Sequence, residues 1–183
     1  LQASLRGMDQ PLSAEASGRF QDQAFTMDLW LDAPNALTSN APVNTRLDLT
    51  SDLGDLHYNG SLQLGDAPRV GGAFEAALPN AAALAQQFDL DLPAQAALGR
   101  VEVSGKAAGA LDALSLTELD MSHTSDLLRA SYKGAVSLAG DGTVNGDLSV
   151  ASDRMRDLLR TAEVELAPGD TLQAFAVSGT AAG

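Results

Sequence analysis

Cysteine is absent from the 183 residues, so the chain can form no disulfide and offers no thiolate as nucleophile or metal ligand. Aromatic residues make up only 4% of it, which makes any core aliphatic and finely divided. Cations are scarce as well: 11 Lys and Arg stand against 24 Asp and Glu, for a net charge of −13. Binding to phosphate needs clustered Lys and Arg, so this balance argues against a nucleic-acid partner and against electrostatic docking on anionic lipid headgroups. The acidity itself is read as solubility. Long apolar runs are missing too. The most apolar stretch, 73–85, is broken by Glu75, Pro79 and Asn80 and falls short of the roughly 20 residues a membrane helix needs. No signal peptide is visible.

What the chain does have is a repeat. Tyr58 and Gly60 recur as Tyr132 and Gly134, Val70 and Gly72 as Val144 and Gly146, and Leu84, Leu92 and Leu98 as Leu158, Leu166 and Leu172. The run Val103-Ser104-Gly105 recurs as Val177-Ser178-Gly179, and every pair is 74 residues apart without a gap. A fixed period marks stacked units, each burying its apolar face against the next. The boundaries drawn from it are a degenerate first repeat over 1–55, a full unit over 56–129 and a truncated second copy over 130–183. Gly18 to Gly60 spans about 13 residues more than Gly105 to Gly134, and the polar, Pro-containing segment 32–42 is the expected place for them. The chain opens on Leu1 and stops within a repeat, so it is expected to be a piece of a longer protein.

Within a unit the dominant period is two. Phe25, Met27, Leu29 and Leu31 alternate with polar residues, as do Val43, Thr45, Leu47 and Leu49. Leu56, Tyr58, Gly60, Leu62 and Leu64 share one face of a run, and Ala130, Tyr132, Gly134, Val136 and Leu138 share it one period later. This is the signature of half-buried antiparallel strands. Turn residues predict hairpins joining 56–64 to 70–77 and 130–139 to 144–151. The spacing then changes to about 3.6, which predicts short amphipathic helices over 80–90 and 152–164. Pro79 is placed in the first turn of the former, and Ser152 or Asp153 is assigned to cap the latter. Strands follow over 99–109 and 173–183. Another covers 111–121, where Leu114 and Leu116 fall out of phase with Leu119 and Met121, predicting a bulge near Thr117 and Glu118. The expected fold is therefore mainly β: a repetitive, curled antiparallel sheet with a short amphipathic helix inserted once per unit.

Catalytic constellations are not evident. His57 and His123 do not recur at the period and are read as solvent-facing. Asp89 and Asp91 read as edge charges rather than an acid–base pair. Gly71-Gly72 and Gly140-Asp141-Gly142 lack the residues and context of phosphate or calcium loops. Arg156 and Arg160 share a helix face, with an anionic-headgroup patch and a solubilising face as the two readings. Trp30 lies on a polar face, where the local insertion is expected to cover it, a partner contact being the other reading. Neither enzymatic activity, a cofactor nor a metal is implied.

Several stretches together carry a resemblance. They are the hairpin with Gly72 to Asn80, a Leu-containing helix, Phe88-Asp89-Leu90-Asp91-Leu92-Pro93, Ala97 to Gly105, Leu111 to Met121, and Tyr132-Lys133-Gly134. This order resembles the C-terminal repeat region of the AsmA family of bacterial envelope proteins, well over 56–183 and loosely over 1–55. Leu148 stands where the first copy has Phe74, and Pro168 is displaced by one from the place of Pro93. The resemblance implies a periplasmic module, anchored in the inner membrane by a segment outside this chain and linked to outer-membrane biogenesis. It also implies kinship with bridge-like lipid-transfer proteins, whose β-units form a long apolar groove. Expected partners are a phospholipid or other acyl chain and envelope proteins. The residues assigned to line such a groove are Leu56, Tyr58, Leu62, Leu64, Val101, Val103, Ala130, Tyr132, Val136, Leu138 and Val177. The alternative is an envelope scaffold or interaction domain in which the same residues form a closed core.

Overall fold

Alternating apolar and polar residues leave a strand one dry face and one wet face, and the chain repeats this pattern across a single antiparallel meander. The computed structural model describes residues 2–4, 9–20, 23–87, 98–140, 142–161 and 174–183. The strands are β1 (Gln2–Ser4), β2 (Leu12–Phe20), β3 (Gln23–Leu31), β4 (Val43–Ser51), β5 (Gly54–Gln63), β6 (Arg69–Leu78), β7 (Arg100–Ala110), β8 (Ala113–Thr124), β9 (Arg129–Ser137), β10 (Thr143–Ser152) and β11 (Phe175–Ala182). They lie side by side in chain order, each antiparallel to the next, in an open sheet that does not close into a barrel. The helices are α1 (Asn35–Thr38), α2 (Ala81–Gln87) and α3 (Met155–Thr161).

The 74-residue period is visible in the elements. Shifting β6 and α2 by it gives the bounds of β10 and α3. Both hairpins form where the turn residues put them, and Gly140 and Gly142 take positive φ values of 61° and 71° in the second turn. Because the strands alternate in direction, α2 and α3 leave the sheet at the same end. The connection containing α1 lies at the opposite end. The segment 32–42 contributes α1 and its flanking turns. The extra length between Gly18 and Gly60 amounts to one more strand, since three strand steps separate those glycines and two separate Gly105 from Gly134.

Details depart from the expectation at the helix starts. Asn80 accepts the Ala83 N–H on its side-chain oxygen at 3.1 Å, satisfying a first-turn donor, so α2 begins at Ala81 and Pro79 lies before the cap. Ser152 ends β10, and its hydroxyl accepts the Arg154 N–H at 3.0 Å just ahead of α3. The predicted helical residues beyond 87 and 161, the Asp89 and Asp91 pair, Pro93, Pro168 and Asp141 lie outside the described residues.

The predicted bulge is present. Leu116 pairs with Val136 and Leu119 with Gly134, so three steps on β8 face two on β9, and the ladder with β7 shifts at the same point. Glu118 takes φ 51° there. The extra residue swaps the phase of β8, placing Leu119, Met121 and His123 on the same face as Leu114 and Leu116.

Candidate functional site

Cross-strand register sorts the side chains into two faces, since directly paired residues point the same way. One row runs across ten strands: Ala16, Met27, Leu49, Leu56, Ala76, Val103, Met121, Tyr132, Leu148 and Gly179. A neighbouring row carries Leu78, Val101, His123, Ala130, Val150 and Val177. On the other side of the first lies a row with Leu29, Leu47, Tyr58, Phe74 and Gly105. Next comes one with Gly60, Gly72, Ala107, Leu116, Val136 and Val144, and then one with Val43, Leu62, Val70, Gly109 and Leu114. Nine of the eleven groove candidates therefore share one continuous apolar face. Leu64 and Leu138 lie just past the ends of β5 and β9 and are exposed.

This face is unevenly covered. Leu31, Val43, Ala107 and Leu119 are buried, whereas Met121, Val144, Leu148 and Val177 are exposed, the last at 63%. The described parts of the helices touch the strands sparingly, although Ala85 of α2 is itself buried. At the end of the sheet where α2 departs, Phe25, Leu49, Leu56, Ala76 and Leu78 line an almost wholly apolar hollow of about 430 Å³. That volume is in the range of small-ligand pockets.

The two repeat tyrosines do not stand upright on this face. Tyr58 lies along its own strand, its hydroxyl donating to the Ser61 carbonyl at 2.8 Å and towards that of Gly71 at 3.3 Å. Tyr132 repeats the arrangement on the carbonyls of Ala135, at 2.8 Å, and Asn145, at 3.1 Å. Each reaches past a paired glycine couple, Gly60 with Gly72 and Gly134 with Gly146. A Cβ on Gly60 would come within 2.6 Å of the Gly72 Cα and 2.7 Å of the Tyr58 hydroxyl, so only glycine fits under the ring. Partial burial pushes the Tyr58 phenol above its ordinary pKa of 10.0, against the opposing effect of its two carbonyl partners.

Comparisons with protein-family models, curated proteins and solved structures return no match.

The opposite face is polar. Glu15, Asp28, Asp48, His57, Glu75, Ser104, Asp120, Lys133, Asp147 and Thr180 follow one another across it. Neighbouring like charges repel, and the opposite pairs offset part of that cost. Lys133 meets Asp120 at 2.6 Å and Lys106 meets Glu118 at 2.6 Å, exposed pairs each worth about 0–1 kcal/mol. His57 Nδ1 lies 2.7 Å from an Asp48 oxygen, and that hydrogen bond is the main cause raising its pKa above 6.5. Asp55, His57, Glu75, Glu102, Ser104 and Asp120 line an open hollow of about 470 Å³. Among the described residues no group of three or more His, Asp or Glu is arranged to hold a metal ion.

Two side chains sit differently from their sequence-based placing. His123 faces the apolar side, because the bulge swaps the phase of β8. Its Nε2 accepts the Gly99 N–H at 3.2 Å, while its buried Nδ1 has no partner. Trp30 remains 38% exposed, since its row neighbours are Ser13 and Arg46 and α1 lies beyond the strand end. Arg154, just ahead of α3, and Arg160 within it both pair with Asp157, at 2.8 and 3.4 Å. Among the exposed residues of this face, sequence reasoning left Met121, Val144 and Leu148 out of the groove set. The phase break at the bulge pointed to Met121, and Leu148 is the period-mate of Phe74.

Proposed function

We propose that this chain is a non-enzymatic, AsmA-like module that handles acyl-chain lipids along the apolar face of its sheet, in the periplasm of a bacterial envelope. The observation that carries the reading is the apolar row across ten strands, which includes exposed Met121 and Leu148, with exposed Val144 and Val177 on the same face. A core that is complete in itself would cover these four. An acyl chain laid over them gains about 0.8 kcal/mol for each CH₂ withdrawn from water. Because the row offers many equivalent aliphatic contacts and no strong polar anchor, a bound chain is held yet free to slide along it. The charge of −13 fits the same picture: the headgroup stays in solvent, and the acidic opposite face is kept away from an anionic membrane surface.

Incubation with vesicles carrying a fluorescent phospholipid tests the reading. The wild-type chain is expected to withdraw the probe and to retain it through gel filtration. Met121→Asp and Leu148→Asp, at positions exposed enough to keep the fold, are expected to lose it. A wild-type chain that takes up no phospholipid overturns the reading, and so does unchanged uptake by both variants.

A further inference from the structure

We propose that the polar face of the sheet carries a saccharide site built on Trp30 and Arg46, and that its ligand is a neutral chain of β-1,4-linked pyranose units. Trp30 is the one tryptophan of the chain and stands 38% exposed on β3. Register sets it in a row with Ser13, Arg46, Asn59, Ala73 and Lys106, on the face opposite the apolar one. Among the described strand residues no other Phe, Tyr, Trp, Leu, Val or Met shares this polar face.

The groups around the ring are polar and uncommitted. Among the described residues the side chains of Trp30, Arg46, Asp28 and Asn59 make no hydrogen bond or ion pair. Direct cross-strand partners stand about 4.5–5.5 Å apart at Cβ and diagonal ones about 7–8 Å. Arg46 is the direct partner of Trp30, and Asp28 and Asp48 face each other in the next row, so a guanidinium and two carboxylates border the indole. Beyond Arg46, a hollow of about 330 Å³ lies over Ala73 between Asn59, Asp48, His57 and Glu75.

A pyranose matches this set. One side of the sugar ring presents C–H groups that cover an indole, while its rim of hydroxyls both donates and accepts. Arg46, Asn59 and the indole N–H supply donors, and Asp28 and the Asn59 carbonyl supply acceptors. A protein partner is held by a cluster of buried anchors, and a lone ring among polar side chains is not one. The net charge of −13 repels an anionic glycan, which leaves a neutral one. Because the site lies on an open sheet, the ligand has to lie flat. A β-1,4 linkage gives an extended ribbon, whereas an α-1,4 linkage coils away from a surface. One pyranose unit is close in length to the strand spacing of roughly 4.8 Å, so a tetramer reaches from Trp30 past Arg46 to the hollow over Ala73.

The site uses side chains of the polar face only, so it stands or falls separately from lipid uptake. The test is titration of the whole chain with cellotetraose and with chitotetraose, followed by tryptophan fluorescence, which reports Trp30 alone. A saturable blue shift with protection from acrylamide quenching is expected from at least one of them, and neither from maltotetraose. Trp30→Ala and Arg46→Gln are expected to keep the far-UV circular dichroism of wild type and to weaken binding, measured by calorimetry, about tenfold or more. Met121→Asp is expected to bind the saccharide as wild type does. No saturable response to either β-linked tetramer overturns the proposal, and so does an equal response to maltotetraose. Binding that survives both Trp30→Ala and Arg46→Gln places the saccharide elsewhere and overturns it as well. Protection of Trp30 that grows with protein concentration in the absence of saccharide would make a second copy of the chain the occupant, against the proposal.

Discussion

Where Gly134 and Gly146 face each other, two strands come closer than any side chain allows, and Tyr132 closes over the gap. A Cβ on Gly146 would meet the Lys133 carbonyl, the Gly134 Cα at 2.8 Å and the Tyr132 ring at 2.9 Å. Gly146→Val is therefore expected to destabilise the fold by about 3 kcal/mol in urea unfolding, because backbone and not a flexible side chain has to give way. Gly179→Ala, with open space around it, is expected to stay within about 0.5 kcal/mol of wild type. Equal effects of the two substitutions would remove the packing explanation for the repeat's glycines. A second prediction concerns His57. Its pKa is raised by the Asp48 hydrogen bond, so the folded state holds this proton more tightly than the unfolded one. Its contribution to stability is present below about pH 6.5 and is lost as the pH rises through the folded value. An NMR titration of the ring should give a midpoint above 6.5 in wild type, moving back towards 6.5 in Asp48→Asn. A midpoint that ignores Asp48 would contradict the assignment.

Single elements show how one extra residue reorganises a strand. Glu118 is the residue by which β8 exceeds its neighbours, and its φ of 51° is one a non-glycine residue adopts at a cost. Deleting it leaves Leu116 and Leu119 two positions apart, hence still on the apolar face. The shortened chain is expected to fold with a melting temperature within a few degrees of wild type. Loss of the fold would mean that the bulge does more than correct phase. The same strand marks the reach of the sequence. Hairpins, helices and the bulge were legible because periods of 2 and 3.6 and a break in phase are local signals. The side to which His123 points was not, since it depends on the swap of phase at Glu118, five positions earlier, and on pairing with Val101 and Ala130. The groove candidates were legible as a shared parity. That Tyr58 and Tyr132 lie along the strand, and that Leu64 and Leu138 fall beyond the ladders, depends on close approaches between strands distant in sequence. The polar row from Glu15 to Thr180 was hidden for the same reason: its members become neighbours only through register.

At the scale of the molecule, each strand is held by its two neighbours, so stability is expected to add up unit by unit. Removing residues 56–129 puts Ala130 after Asp55, in the place of its period-mate Leu56, and leaves a seven-stranded meander. This shortened chain is expected to fold and to unfold cooperatively. A deletion one residue shorter, 73 in place of 74, would put the strand that follows the junction out of phase and is expected to fail. Circular dichroism and urea unfolding distinguish the outcomes, and an unfolded product from the 74-residue deletion would argue against interchangeable units.

The position of α2 and α3 at one end of the sheet has a numerical origin. Four strand steps lead from β5 to β9, and four is even, so the second unit runs in the same direction as the first, displaced by about 19 Å across the sheet and by two residues along it. A unit of three or five strands would turn each successive copy upside down, alternating the helical rim and breaking the match between hairpin and hairpin. Evenness gives the sheet two chemically distinct margins and a fixed step length. The extent of the apolar surface can then change by whole steps while its orientation stays constant.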